Sequence, residues 1–84
     1  MGWYVYMLRC ADGSLYTGIA SDVEKRFAMH KCGHGAKYTR SHPPVAVVYR
    51  EQFADKGAAL RREAAIKKLP RAKKIELTEG RCDA

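Results

Sequence analysis

Five polar side chains of this 84-residue sequence lie inside or beside apolar stretches, where a polar group costs free energy unless it is paired. They are two phenols, a guanidinium, an imidazole and a carboxylate: Tyr6, Tyr16, Arg26, His30 and Glu63. As a set they match the needs of phosphodiester hydrolysis, which takes a base for the attacking water, a cation for the phosphoryl oxygens and a carboxylate for a divalent ion. If they converge, they form one site.

Each of the five also has an ordinary structural interpretation. Tyrosines in a hairpin are usually packing surface, and a single histidine on an apolar stripe is more often a hydrogen-bonded core residue than a catalyst. An arginine that borders such a stripe usually forms a salt bridge. On the helical wheel alone, Glu63 is better interpreted as a partly exposed carboxylate bonded to Arg62 or Lys67. Only convergence in space favours the chemical interpretation.

The residue types also limit the chemistry. Mg²⁺ commonly keeps several waters and takes one or two carboxylates plus the substrate phosphate, so Glu63 alone would suffice. A tyrosine has an ordinary pKa of about 10 and is a poor base at neutral pH, unless Arg26 and a metal-bound water lower that pKa or take part of the task.

A hairpin must position the two tyrosines. Residues 3–8 and 15–19 are rich in strand formers and are separated by the turn signal Ala11-Asp12-Gly13. A two-residue Asp-Gly loop would place the tyrosines on opposite faces. A three-residue loop, with Gly13 in a left-handed conformation, pairs Tyr6 with Gly18 and Leu8 with Tyr16. In that register the two phenols share a face.

Two long helices must present the other three groups. Residues 21–24 form a capping box in which Ser21 caps the amide of Glu24, which predicts a first helix from about residue 22 to residue 31, ended by Gly33. Its apolar stripe is Val23, Phe27 and His30, with Arg26 at the border.

On the second helix, Asp55 is the expected N-cap, the span is about 56–69, and Pro70 ends it. Glu63 lies there among apolar positions of the wheel: Ala59, Leu60 and Ile66.

A third strand and a last helix complete the predicted order. Residues 45–53 alternate, with Val45, Val47 and Tyr49 on one face, and residues 71–79 form a short final helix. Residues 33–44 are a Gly- and Pro-punctuated loop with room for one helical turn. The pattern is a single α+β domain of order β-β-α-β-α-α.

The charge of the chain favours a polyanionic partner. Lys and Arg number 16 against 9 Asp and Glu, for a net charge of +7, and residues 61–74 carry seven basic residues with a single acid. Nucleic acid is the favoured partner over an anionic membrane surface. The candidate contacts are Lys37, Tyr38, Arg40, Arg61, Arg62, Lys67 and Lys68.

Composition excludes other classes of protein. The longest apolar run, residues 3–8, is far short of the roughly 20 residues that span a bilayer. Three widely spaced cysteines, Cys10, Cys32 and Cys82, form no disulfide pattern and favour a reducing cytoplasm. His30, Cys32 and His34 lack a fourth ligand at zinc spacing, so we interpret Cys32 as a small buried or neutral residue.

At these residues the chain resembles the GIY-YIG nuclease superfamily, in particular small stand-alone bacterial members of the UPF0213 type, related to the catalytic domain of the Slx-type structure-specific endonuclease. Tyr4-Val5-Tyr6 stands at the first motif and Tyr16-Thr17-Gly18 at the second. Arg26 follows ten residues later, and residues 59–67 resemble the segment that carries the metal-binding glutamate. Residues 35–40 also resemble the small-protein branch.

The resemblance implies a three-stranded antiparallel sheet flanked by helices, spanning residues 2–77 with a tail at 78–84. It further implies a single Mg²⁺ or Mn²⁺ at Glu63, a scissile phosphate stabilised by Arg26, a water oriented or deprotonated by Tyr6 or Tyr16, and assistance from His30. The chain departs from the family pattern at Tyr4 and Thr17 and contains no asparagine.

Three hypotheses follow. The first is a metal-dependent endonuclease that cuts DNA at branched, nicked or single-stranded sites in repair or recombination. The second is a nucleic-acid-binding module without turnover, in which Tyr38 stacks on an unpaired base. The third is a catalytic subunit that a protein partner must target.

Overall fold

A computed structural model of the protein describes residues 2–33 and 42–82, with side chains described as far as residue 78. Three strands, β1 (Trp3–Cys10), β2 (Leu15–Ala20) and β3 (Pro44–Phe53), form one antiparallel sheet of order β2-β1-β3. The helices are α1 (Val23–Lys31), α2 (Lys56–Lys67) and α3 (Arg71–Cys82). The predicted α+β order is confirmed. Within the described residues, no helix is long and apolar enough to cross a membrane.

The β1–β2 hairpin has the register that the three-residue loop predicts. Tyr6 pairs with Gly18 and Leu8 with Tyr16. The backbone N–H of Cys10 donates to the carbonyl of Ser14 at 2.9 Å, which closes the loop, and Gly13 has a φ of 87°. A side chain would be strained at that φ, so the glycine is needed there.

The start of α1 differs from the prediction. Asp22, not Ser21, is the N-cap: its carboxylate accepts from the backbone N–H of Lys25 at 3.0 Å. The helix begins one residue later than the capping box requires, and Glu24 forms an ion pair with Arg50 of β3 instead of reaching back.

The bounds of the two later helices differ less from the predicted bounds. Asp55 caps α2 as predicted, by accepting from the N–H of Ala58 at 2.8 Å. The helix ends at Lys67 rather than residue 69, with Lys68 as its C-cap. The last helix continues to Cys82, beyond the predicted end at residue 79.

The strict alternation predicted for β3 is wrong. The β1–β3 register shifts between Met7 and Leu8, so that Tyr49 pairs with Met7 but Val47 pairs with Leu8. An extra residue in one strand reverses the side-chain phase on either side of it. Val47 therefore packs on one face of the sheet and Tyr49 on the other, while Val45 is exposed.

The sheet separates two cores. The face beneath α2 and α3 buries an apolar cluster: Val5, Met7, Tyr49, Ala59 and Ile66. The face beneath α1 buries Tyr6, Leu8, Ala20 and Val23, with Tyr16 and Phe27 packed against them. Cys32, at the C-cap of α1, and Leu60 on α2 are both exposed, so the interpretation of Cys32 as a small buried residue is wrong.

Candidate active site at the edge of β2

Three rings meet on the face of the sheet that α1 covers. The Tyr6 hydroxyl lies 3.0 Å from Nε2 of His30 in a buried hydrogen bond. The Tyr16 ring lies 5.2 Å from the His30 ring and 6.4 Å from the Tyr6 ring, centroid to centroid. Tyr6 and His30 are almost fully buried, whereas Tyr16 is half-buried, so Tyr16 is the most exposed ring of the three.

Gly18 makes this cluster possible. A Cβ at this position would lie 2.8 Å from the Tyr6 hydroxyl oxygen and 3.1 Å from Cε2 of Tyr16. The strand pairing sets Gly18 directly opposite Tyr6, so both phenol rings lie against its backbone. Any larger residue would push the tyrosines apart.

The electrostatics of the buried pair favour neutral forms of both groups. Burial raises the pKa of Tyr6, and the nearby Tyr16 and Glu63 raise it further, while Arg26 opposes them. Burial and the charge of Arg26 lower the pKa of His30 below its ordinary value of 6.5. At neutral pH a phenol therefore faces a neutral imidazole, and the tautomer of His30 sets the direction of their hydrogen bond: the phenol O–H donates to Nε2 when the ring proton is on Nδ1.

Arg26 lies on the flank of α1 that faces β2. Glu24 pairs with Arg50 of β3, and a residue two positions further along a helix projects from the opposite flank. Because β3 and β2 are the two edges of the sheet, Arg26 projects towards β2. Its guanidinium is exposed, yet it lies close enough to shift the pKa values of both Tyr6 and His30.

Glu63 reaches the same edge from the opposite face of the sheet. Arg62 and Glu63 straddle the buried stripe of Ala59 and Ile66, and Arg62 pairs with Glu51 of β3. Glu63 therefore projects towards β2, where its charge acts on Tyr6. Its side chain is 18% exposed, and Oε2 lies 3.2 Å from Nζ of Lys67.

The five candidate residues thus surround the edge strand β2, and we call this group the β2-edge site: Tyr6, Tyr16, Arg26, His30 and Glu63. Its rings lie beneath α1, its guanidinium comes from the flank of α1, and its carboxylate comes from α2. The convergence that the chemical interpretation required is present, together with the Glu63–Lys67 pairing of the ordinary interpretation.

The predicted nucleic-acid contacts divide into three groups. Arg61 and Lys68 are exposed, and Lys67 is half-exposed beside Glu63. Arg62 lies on the other flank of α2 and donates from Nε to Glu51 at 3.1 Å, away from the β2-edge site. Lys37, Tyr38 and Arg40 lie outside the described residues.

Sequence reasoning missed a polar network on the opposite face. Tyr49 donates its hydroxyl proton to Oε1 of Glu51 at 2.6 Å, and Arg62 donates to the same oxygen. This network joins β3 to α2. Tyr49 and Glu51 are two residues apart on one strand, a spacing that places their side chains on the same side and could have been recognised in the sequence. Their partner Arg62 is eleven residues beyond Glu51, and no local pattern indicates that contact.

A comparison with known protein families decides the identity of the fold. The pattern of the GIY-YIG catalytic domain matches residues 2–76 of the chain. The chain belongs to the GIY-YIG family. Membership supports a nuclease-type function, and it gives the two tyrosine motifs of the hairpin a common explanation.

Similar proteins from bacteria and archaea carry the name UPF0213. One from Staphylococcus saprophyticus is 53% identical over 78 residues, which cover 92% of this chain and 95% of the relative. Another, from Natronomonas pharaonis, is 55% identical over 74 residues, covering 88% and 87% of the two chains.

Two solved structures share the fold. The solution NMR structure of the UPF0213 protein BH0048 from Bacillus halodurans is 46% identical, covers 94% of this chain and 84% of that one, and has a TM-score of 0.60. The solution NMR structure of the protein EF2693 from E. faecalis is 36% identical, covers 100% and 90%, and has a TM-score of 0.65.

Proposed function

We propose that this protein is a metal-dependent endonuclease that hydrolyses phosphodiester bonds at the β2-edge site, with DNA as the favoured substrate and a role in repair or recombination. The observation that carries the proposal is the buried Tyr6–His30 hydrogen bond, which lies within electrostatic range of Arg26, with Glu63 close to Tyr6. The free thiols of Cys10 and Cys32 suit a reducing cytoplasm.

The Tyr6–His30 pair supplies a route for a proton. A buried phenol with a raised pKa is a poor base alone. In the tautomer with the ring proton on Nδ1, Nε2 of His30 accepts from the phenol 3.0 Å away, so when the phenol oxygen takes a proton from water its own proton passes to Nε2, which later releases it to solvent. The water oxygen then bonds to phosphorus, the bond from phosphorus to the leaving oxygen breaks, and that oxygen takes a proton from solvent.

Arg26 and Tyr16 act on the phosphate side of the reaction. An exposed guanidinium beside the rings stabilises the negative charge that develops on the phosphoryl oxygens. Tyr16 is half-buried and is the phenol best placed to orient water or a phosphate oxygen.

The donor set fits a single Mg²⁺ or Mn²⁺. Among the described residues, no three His, Cys, Asp or Glu side chains gather as a metal cluster, and Glu63 offers one carboxylate at the site. That is the donor set of an ion that completes its shell with waters and phosphate oxygens. GIY-YIG nucleases generally use divalent ions. When bound, such an ion neutralises phosphate charge and makes its bound water more acidic.

A nucleic-acid-binding module without turnover is the second candidate. It is favoured by the Glu63–Lys67 ion pair, because an ammonium group already occupies one carboxylate oxygen. This candidate predicts an affinity that falls steeply with salt and is unchanged in Glu63→Gln. The basic surface, including Arg61 and Lys68, serves either function.

A targeting protein partner would be required if the purified protein cleaves only in the presence of cell extract.

The test is cleavage of labelled branched, nicked, single-stranded and duplex DNA, with matched RNA, in Mg²⁺ or Mn²⁺. We expect the protein to cleave at least one DNA substrate and Glu63→Gln to abolish cleavage. The matched control is Glu76→Gln, because Glu76 also pairs with a lysine of its own helix, Lys73, but lies on α3. Equal cleavage by both variants would overturn the proposal.

A further inference from the structure

A cleft between α3 and the hairpin end of the sheet is lined by residues that the β2-edge site does not use. Its volume is about 480 Å³, which is within the range of small-molecule sites, and we call it the α3 cleft. Arg9, Leu15 and Val48 line it from the three strands, and Arg71 and Ile75 line it from α3.

Three side chains of the α3 cleft are apolar and only half-buried. Leu15 lies opposite Arg9 in the hairpin register, and Val48 is the extra residue of the β3 bulge, without a partner on β1. Ile75 follows Arg71 by four residues and therefore lies on the same face of α3. Part of the surface of each apolar side chain is left in contact with solvent, where a ligand can cover it.

Two guanidinium groups line the same cleft without a carboxylate partner. Nη2 of Arg71 donates to the carbonyl of Gly13 at 2.6 Å, which ties α3 to the hairpin loop but leaves the positive charge unbalanced. Within the described part of the chain, Arg9 and Arg71 form no ion pair, and no acidic residue lines the cleft. The acid nearest to the cleft in sequence, Asp12, is bonded to Ser14 at 2.7 Å.

A larger cavity, of about 720 Å³, lies at the opposite end of the sheet and has its charged groups satisfied. The carboxylates of Asp22 and Asp55 cap α1 and α2. Glu24 pairs with Arg50, and Lys56 lies over the indole ring at the start of β1. The α3 cleft differs because the positive charges of its two arginines are unbalanced and lie beside apolar surface.

The lining of the α3 cleft defines the class of its ligand. Guanidinium groups bind carboxylates and phosphates through charge-assisted hydrogen bonds, which are often paired. Half-buried aliphatic side chains favour an apolar chain or ring, because its binding removes apolar surface from water. A neutral apolar molecule would leave both charges unbalanced, and a small polar anion would leave the aliphatic side chains in water. A molecule with both features fits the cleft best.

We propose that the α3 cleft binds a small amphipathic anion, with its apolar part against Leu15, Val48 and Ile75 and its carboxylate or phosphate at Arg9 and Arg71. The cleft contains none of the five residues of the β2-edge site, and the inference does not depend on the proposed function. A ligand bound there contacts the strands and α3 together, so it should also stabilise the fold.

The experiment is an NMR titration of isotope-labelled protein with probes of matched chemistry. Octanoate and octyl phosphate carry an apolar chain and an anionic group, octanol carries the chain alone, and acetate carries the anion alone. The variants are Arg9→Gln and the double variant Arg9→Gln/Arg71→Gln. The matched control is Lys25→Gln/Arg61→Gln, which removes two exposed cations outside the cleft.

We expect octanoate or octyl phosphate to shift the signals of Leu15, Val48 and Ile75 in a saturable manner, with an affinity about tenfold or more above those of octanol and acetate. The comparison of the two anions assigns the preferred head group. The double variant should bind the preferred anion about tenfold or more weakly, and the control should keep the wild-type affinity.

The single variant separates ligand binding from folding. Arg9 is exposed and forms no hydrogen bond through its side chain among the described residues, so Arg9→Gln should leave the spectrum of the free protein folded. We expect it to weaken binding of the preferred anion by about threefold to tenfold.

The inference would be overturned by equal binding of octanol and octanoate, by equal weakening in the control variant, or by shifts confined to residues outside the cleft. A single-stranded oligonucleotide provides a further arm. If it shifts the signals of the cleft while both octyl anions leave them unchanged, the two arginines are nucleic-acid contacts and the inference is wrong.

Discussion

The two faces of the sheet bury different kinds of side chain from the same strand, β1. Alternate residues of β1 project to opposite sides, so Val5 and Met7 join the apolar cluster beneath α2 and α3, while Tyr6 lies beneath α1. The first face removes apolar surface from water and stabilises the fold. The second buries a hydrogen-bonded phenol and imidazole, Tyr6 and His30, beside apolar side chains such as Leu8.

The contrast extends to how buried tyrosines are paired. Tyr49 is hydrogen-bonded to Glu51, and that carboxylate also accepts from Arg62, so charge is balanced within the network. Tyr6 is hydrogen-bonded to His30, a neutral group, and the charges of Arg26 and Glu63 that act on Tyr6 lie towards the edge of the sheet. The first network holds elements together. The second retains charged groups that a substrate can meet.

The largest expected effect falls on the apolar face. Ile66 is fully buried, and Ile66→Ala should lower the free energy of unfolding by about 2–5 kcal/mol through lost burial and the cavity left behind. Urea unfolding followed by circular dichroism measures it. Cleavage per folded molecule should not change, and a specific loss of cleavage in folded Ile66→Ala would break the division between the faces.

Arg26→Ala should lower the cleavage rate and leave the stability of the fold unchanged, which is the reverse of Ile66→Ala. Removing a side chain that stabilises transition-state charge costs about 10²–10³-fold in rate. Because Arg26 is exposed, the free energy of unfolding should stay within about 0.5 kcal/mol of the wild type. Single-turnover cleavage and urea unfolding of the same preparation test both parts. Lys25→Ala, one residue away on the same helix, is the control and should lose far less activity.

Gly18→Ala should affect both properties, because its Cβ would meet the Tyr6 and Tyr16 rings. Overpacking of this kind costs about 1–3 kcal/mol of stability. The displaced tyrosines should also lower the cleavage rate of the folded protein. In Gly33→Ala any loss of stability should come from the backbone alone, since Gly33 has a φ of 82° and no described residue lies within 4 Å of a Cβ there. Loss of activity in Gly18→Ala without any loss of stability would contradict this account of the cluster.

The smallest effect is a pH dependence of stability. The folded pKa of His30 lies below its ordinary 6.5, so protonation favours the unfolded chain. His30 therefore reduces stability as the pH falls from about 6.5 towards the folded pKa, and contributes no slope above about pH 7.5. Unfolding of the wild type and His30→Gln between pH 8 and 5 measures the difference. Parallel curves would show that the imidazole is not held neutral by the fold.

Local signals predicted much of this arrangement from the sequence. The hairpin register follows from the loop chemistry of Gly13, and the stripe of Val23, Phe27 and His30 follows from helical periodicity. Asp55 was recognisable as a cap for the same reason. Each of these depends on residues within a few positions of one another.

Contacts between distant residues account for the errors. The bulge in β3 depends on its pairing with β1, and the choice of Asp22 over Ser21 accompanies the pairing of Glu24 with Arg50. The exposure of Leu60 depends on which flank of α2 meets the sheet. The positions of Arg26 and Glu63 at the β2 edge depend in the same way on which flanks of α1 and α2 pair with β3.

The most direct test compares the two hydrogen-bonded tyrosines, Tyr6→Phe and Tyr49→Phe. Each variant removes one buried hydroxyl, and each should lose about 1 kcal/mol of unfolding free energy. In single-turnover cleavage of a DNA substrate, Tyr6→Phe should lose about 10²-fold or more, while Tyr49→Phe keeps the wild-type rate. Equal rates for the two variants would contradict the assignment of chemistry to the face that α1 covers.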